Sequence, residues 1–143
     1  MRVSDVGAHL RTMEAAIVAA LSECGLQARS RCAEGIDYTG VWVDDRKIAS
    51  IGVHLSRGVS THGFAVNVEN DLTPFEWIVP CGLEGVAMTS LERELGHAPE
   101  GGLEAFGQSV ARCFCAVHER KPRLVQTDER RASDRDKRVA LSA

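Results

Sequence analysis

A chain of 143 residues, 44% of them hydrophobic, is long enough for one domain that buries roughly two-thirds of the surface its unfolded form exposes. Its net charge of −3 supplies no basic face of the kind nucleic acid requires, which points to a protein or small-molecule partner. No apolar run reaches the roughly 18–20 residues of a membrane-spanning helix. The cysteines Cys24, Cys32, Cys81, Cys113 and Cys115 are odd in number, lack C-x-x-C spacing and follow no signal peptide, so they fit a reducing cytosol.

In chain order, Val6, Leu10, Met13, Ile17 and Leu21 recur at helical spacing between Ser4 and Cys24, with Gly25 placed to stop the helix. From Gly40 the pattern changes to short β-rich runs separated by Asp44-Asp45, Arg57-Gly58 and Asn70-Asp71. These predict consecutive antiparallel strands at Gly40 to Val43, Lys47 to Leu55 and Thr61 to Val68. A loop with Pro74, Pro80 and Gly82 follows and carries Cys81. Thr89 and Glu92 stand at capping-box spacing for a short helix from Thr89 to Leu95, with Gly96 after it.

Leu103, Phe106, Val110, Phe114 and Val117 then predict a last helix, from Gly102 to about Glu119, that covers the sheet. Cys113 and Cys115 read as its packing residues; two positions apart, they diverge by about 200° around a helix and cannot readily clasp one zinc ion. Beyond Pro122 acidic and basic residues alternate with few large apolar ones, a composition that cannot offset its ordering entropy. Residues 1–121 are therefore expected to form the domain and 122–143 a polar, disordered tail.

Two residues carry the clearest chemistry. A thiolate, not a thiol, attacks a carbonyl carbon, and a nearby ammonium stabilises the thiolate. Cys81, between Pro80 and Gly82, has a fixed φ before it and an uncluttered backbone after it, whose amides could serve as oxyanion donors. Lys47, after the Asp45-Arg46 turn, supplies a cation, although a strand-end lysine is ordinarily solvated. His62 is an alternative base for the cysteine, but Thr61 and Gly63 beside it offer no third, orienting group. Ser50, Ile51, Gly52 and Gly63, Phe64, Ala65 fall in neighbouring strands, where glycines either open space for a ligand or mark bulges and tight packing. His9, His54, His97 and His118 show no ligand spacing and read as structural.

The segments T-G-V-W-V, R-K-I-A-S-I-G-V, R-G-V-S-T-H-G-F-A-V-N-V, D-L-T-P-F, I-V-P-C-G and M-T-S-L, in this order from about Thr39 to Leu91, resemble the LipB-type octanoyltransferases of the biotin/lipoate protein ligase superfamily. The resemblance implies an α+β fold, an antiparallel or mixed sheet packed by helices. It implies that Cys81 accepts octanoyl from octanoyl-acyl carrier protein as a thioester and that Lys47, 34 residues earlier, lowers its pKa. Ser50, Ile51, Gly52, His62, Gly63, Phe64 and Ala65 match the family's substrate-contacting segments. The implied acceptor is a lysine of lipoyl domains in 2-oxoacid dehydrogenase complexes or of glycine cleavage protein, with no metal, nucleotide or other cofactor. The family's R-G-G and H-G-P-G-Q segment has no counterpart here, so the likeness covers its C-terminal part and the expected fold is incomplete, with an exposed edge strand and apolar face. The second expectation is a non-catalytic or split-enzyme fragment that binds acyl carrier protein or lipoyl domains.

Overall fold

The computed structural model describes residues 5–77 and 85–123. Cys81 with its neighbours Pro80 and Gly82, the first residues including Ser4, and the expected tail from residue 124 onward lie outside the described residues.

Helix α1 spans Val6–Glu23 and starts where Asp5 accepts the Ala8 amide at 3.0 Å, an N-cap that stabilises a helix by about 1 kcal/mol. It ends in a Schellman motif: the Leu26 amide returns to the Leu21 carbonyl and that of Gly25, at φ 83°, to Ser22. The apolar face begins at Leu10, because Val6 in the first turn remains exposed. Leu10, Met13, Ile17 and Leu21 are buried as the periodicity predicts.

Among the described residues one mixed sheet contains β1 (Arg29–Ser30), β2 (Val41–Val43), β3 (Arg46–Ser56), β4 (Val59–Val66) and β5 (Ala87–Met88). The order is β1-β2-β3-β4, each pair antiparallel, and β5 runs parallel to β3. Strand β4 starts two residues before the expected Thr61. Arg57 and Gly58, at φ 50° and 75°, make a two-residue left-handed turn, so pairing resumes at once with Ser56 opposite Val59. It also stops before the expected Val68. The Asn67 and Val68 carbonyls turn away to accept the Leu91 and Glu92 amides, satisfying the first amides of helix α2 (Leu91–Leu95). The two-residue strands β1 and β5 are too short to show a periodicity. On the outer side of β4 no further strand lies among the described residues.

The cap of α2 is Ser90, whose hydroxyl accepts the Arg93 amide, rather than Thr89. Thr89 instead donates its hydroxyl to Glu94, which also receives Arg46 Nε and Nη2 at 2.8 and 3.0 Å. The two-pronged hydrogen bond from Arg46, assisted by Thr89, holds the Glu94 carboxyl below the usual carboxylate range against the opposing effect of burial. A depressed folded-state pKa gives stability that is present above the unfolded value of about 4.3 and is lost as pH falls through the folded one. We therefore expect Glu94→Gln to cost about 1–2 kcal/mol in urea melts at pH 7, a difference that shrinks as pH falls through the lowered folded-state value of Glu94.

Helix α3 (Gly102–Val117) packs chiefly against α1, not over the sheet. Its buried line is Phe106, Ser109 and Cys113, while the expected Leu103 and Val117 are exposed. It reaches the sheet through Phe114, whose ring lies 6.0 Å from that of Phe64 on β4. The core thus sits between sheet and helices, with Ile17, Leu21, Val41, Ile48, Leu91 and Phe106 at its centre.

Candidate functional site

Lys47 stands on β3 opposite Trp42 and beside Met88 of β5. It is 1% exposed, which overturns the solvated strand-end reading. Because β3 already begins at Arg46 and β5 pairs with it there, Lys47 lies inside the sheet rather than at its end. Its Nζ lies 5.3 Å from the centre of the Trp42 ring, and a cation over an aromatic face is attracted by the ring quadrupole. The indole is held in turn, because its N–H donates to the Tyr38 carbonyl at 3.0 Å and Arg31 stacks over both rings. On another side lies Gly40, at φ 136°. A Cβ there would meet Lys47 Cε at 2.7 Å and the Ala49 carbonyl at 2.5 Å, so only glycine leaves room for the lysine stem.

The same strand anchors both ends of the segment that contains Cys81. Going in, the Asn67 amide donates to the Ile48 carbonyl at 2.9 Å; coming out, the Thr89 amide donates to the Lys47 carbonyl at 3.0 Å. Asn67 Nδ2 then closes the stem by donating to the Thr89 carbonyl at 3.1 Å, across 22 positions of sequence. Two successive β3 carbonyls, one of them that of Lys47, hold the two feet of this excursion.

Ser50, Ile51 and Gly52 lie directly opposite Ala65, Phe64 and Gly63. Phe64 faces Phe114 of α3, so by strand alternation Gly52, Gly63, Ser50 and Ala65 point to the opposite side of the sheet. A Cβ built on Gly52 or Gly63 meets no described atom within 4 Å, and the register runs through both without a shift. Of the two readings of these glycines, bulge or tight packing on one side and open space on the other, the geometry favours open space. His62, opposite Val53, is exposed and has φ 68°, a conformation uncommon for a side-chain-bearing residue in a strand. Cys81 lies outside the described residues, so its distance to Lys47 or His62 is not part of this geometry.

The other reactive groups have structural surroundings. His9 Nε2 pairs with Ser60 Oγ at 3.1 Å, and burial, followed by the nearby His118, pushes its pKa down. Cys24, Cys32, Cys113 and Cys115 are free thiols, and burial pushes those of Cys24 and Cys113 up, which makes them slow nucleophiles. Among the described residues no group of three or more His, Cys, Asp or Glu is placed to hold a metal ion, and no helix is long and apolar enough to cross a membrane. The sequence reading missed Trp42, Gly40 and Asn67. Only Gly40, after Thr39 and before a β-rich run, carries a signal of its own in the sequence, and that signal marks a strand start.

A family model for the lipoyl protein ligase A/B catalytic domain matches residues 2–115. An octanoyltransferase of Solibacter usitatus is 56% identical over 115 residues, covering 80% of this chain and 49% of that protein. One from Dictyoglomus turgidum is 46% identical over 118 residues, covering 82% and 47%. The human mitochondrial octanoyl-[acyl-carrier-protein]:protein N-octanoyltransferase is 51% identical over 88 residues, covering 61% and 37%. The chain thus spans about half the length, or less, of these curated relatives. In fold it is similar to lipoate-protein ligase A bound with ATP, with a TM-score of 0.62 at 20% identity, over 88% of this chain and 52% of the other. It is also similar to protein Ta0514 of T. acidophilum, with a TM-score of 0.65 at 20% identity, over 91% and 53%. With the mixed sheet, the order of motifs along it and a family match over most of its length, this chain belongs to the lipoyl protein ligase A/B catalytic-domain family.

Proposed function

We propose that this chain carries the acyl-transfer centre of an octanoyltransferase, with Cys81 as nucleophile and Lys47 as the cation that lowers its pKa. The observation that carries the reading is the anchoring of both feet of the Cys81-containing segment on the Lys47 and Ile48 carbonyls, beside a fully buried lysine. The names of its relatives support the donor and acceptor classes.

In the first half-reaction the Cys81 thiolate attacks the thioester carbonyl of octanoyl-acyl carrier protein. A new S–C bond forms, the carrier's S–C bond breaks, and the departing thiolate takes up a proton. In the second, a deprotonated lysine amine of a lipoyl domain attacks the Cys81 thioester, an amide forms, the lysine nitrogen gives up its remaining extra proton, and the cysteine leaves as thiolate. Both steps exchange one acyl bond for another, so the activated donor supplies the driving force and no nucleotide is consumed. The acyl chain would lie over the glycine strip formed by Gly52 and Gly63, flanked by Ser50 and Ala65 on the same side of the sheet, while Ile51, His62 and Phe64, whose side chains alternate to the other side, would contribute only backbone. Acceptors are lipoyl domains of 2-oxoacid dehydrogenase complexes and glycine cleavage protein, and the compartment is the cytoplasm.

The test is intact-protein mass after incubation with octanoyl-acyl carrier protein. The expected result is one octanoyl adduct on the parent chain and none on Cys81→Ala. A folded parent chain that takes no adduct but still binds the carrier or a lipoyl domain would overturn catalysis by this chain alone and leave a binding fragment.

A further inference from the structure

The wall that confines the Lys47 stem is itself held in place by a buried acid. Glu14, on α1, has a side chain 1% exposed. Its Oε1 accepts the Gly40 amide at 3.0 Å; its Oε2 accepts Ser30 Oγ at 2.6 Å and Arg11 Nε at 2.7 Å. A carboxylate taken out of water is unfavourable unless such donors replace the lost hydration, and here three of them do. Two would tie Glu14 to the preceding turn of its own helix and to β1 without involving the site. The third fixes the peptide of Gly40, whose bare Cα faces Lys47 Cε and Nζ.

We propose that Glu14 is a positioning residue for Lys47: by gripping the Gly40 backbone it sets the surface against which the lysine stem lies, and so where the ammonium sits. The inference rests on the acyl-transfer role given to Lys47 above. Lysine has a flexible four-carbon stem, and a cation lowers a neighbouring pKa only while it is held close. Trp42 confines Lys47 on one side and Gly40 on another, and Glu14 fixes the second of these.

Two readouts on the whole chain test this. With Lys47 Nζ 5.3 Å from the centre of the Trp42 ring, the ring current should shift the Lys47 ε-methylene protons away from the position of an unconfined lysine, which NMR of a lysine-labelled sample would report directly. Glu14→Ala and Gly40→Ala are expected to return the resonance toward the unconfined position. Both should also slow Cys81 alkylation several-fold near neutral pH, displacing its profile to higher pH. Glu14→Gln, whose amide oxygen can still accept the Gly40 N–H, should restore most of both. In a Lys47→Met background, Glu14→Ala should add no further slowing.

A Glu14→Ala chain that melts at lower temperature while the Lys47 resonance stays in place would overturn the proposal and leave Glu14 a tie between α1 and β1. If Glu14→Ala does not fold, Glu14→Asp, whose carboxylate is drawn back by one methylene from the Gly40 amide, decides it: the resonance moves if the grip on Gly40 positions Lys47, and a resonance that stays in place overturns the proposal. The resonance reports positioning, whereas the alkylation profile of Lys47→Met reports the cysteine–lysine pairing, so failure of one is distinguishable from failure of the other.

Discussion

If Cys81 and Lys47 pair as proposed, Lys47→Met is expected to move the pH profile of Cys81 alkylation upward by about 1–3 pH units, the effect of withdrawing an opposite charge within about 4–6 Å of a titrating group. Methionine keeps the length of the buried stem against Gly40 and Trp42, so the substitution removes charge rather than volume. At neutral pH less thiolate is present, but a more basic thiolate is intrinsically more nucleophilic, with a Brønsted coefficient of about 0.4–0.5. The two effects leave a net loss of roughly 3- to 60-fold in alkylation rate, and octanoyl-adduct formation should fall in parallel. Mass spectrometry of the Cys81 peptide separates its reaction from those of the four other cysteines. An unchanged profile in a folded Lys47→Met chain would remove the pairing.

Gly63→Val should produce the largest change in substrate choice. Neither Gly52 nor Gly63 has a positive φ, so a β-branched side chain is compatible with the backbone and suits a strand. The new methyl groups would occupy the open space over the Gly52–Gly63 pair, on the side of the sheet away from α3. Crowding a well-fitted apolar chain costs about 1–3 kcal/mol, or roughly 5- to 160-fold in rate for an octanoyl donor. A two-carbon acyl donor does not reach as far and should lose little. The comparison of acetyl and octanoyl adduct rates, at matched thermal stability, checks it; equal losses for both donors would place the chain elsewhere.

Much of the fold was legible because its signals are local. The α1 face repeats over four turns, Arg57-Gly58 fits a two-residue turn, and Gly96 adopts the left-handed cap expected of it. What escaped depends on contacts between distant segments. Strands β1 and β5 are each two residues long and exist only because β2 and β3 lie beside them. Thr89 has the right chemistry for a cap, but the Thr89 hydroxyl is drawn to the carboxylate that Arg46 brings from β3, and Ser90 caps instead. Leu103 and Val117 follow the helical period yet face solvent, since α3 rests on α1 along the narrower line of Phe106, Ser109 and Cys113.

The candidate site divides in the same way. Lys47, Gly52 and Gly63 could be singled out by residue type and motif, and the family likeness gave them provisional roles. The burial of Lys47 could not be read, because it requires Gly40 and Trp42 to be folded around it. Glu14 reads in the sequence as one more polar position of an amphipathic helix; its meaning appears only when the Gly40 amide, 26 positions away, arrives at its oxygen.

Pinning Asn67 and Thr89 to neighbouring carbonyls of β3 has a consequence in the statistics of chains. A nucleophile delivered by a separate molecule meets its activating cation at the bulk concentration of that molecule. One carried on a loop of 22 positions whose feet rest at that cation's own backbone meets it at an effective concentration on the order of millimolar or above, whatever path the chain takes in between. For the lysine–thiol pairing proposed here, the entropy of bringing the two groups together would then be largely met when the domain folds, before any acyl donor arrives.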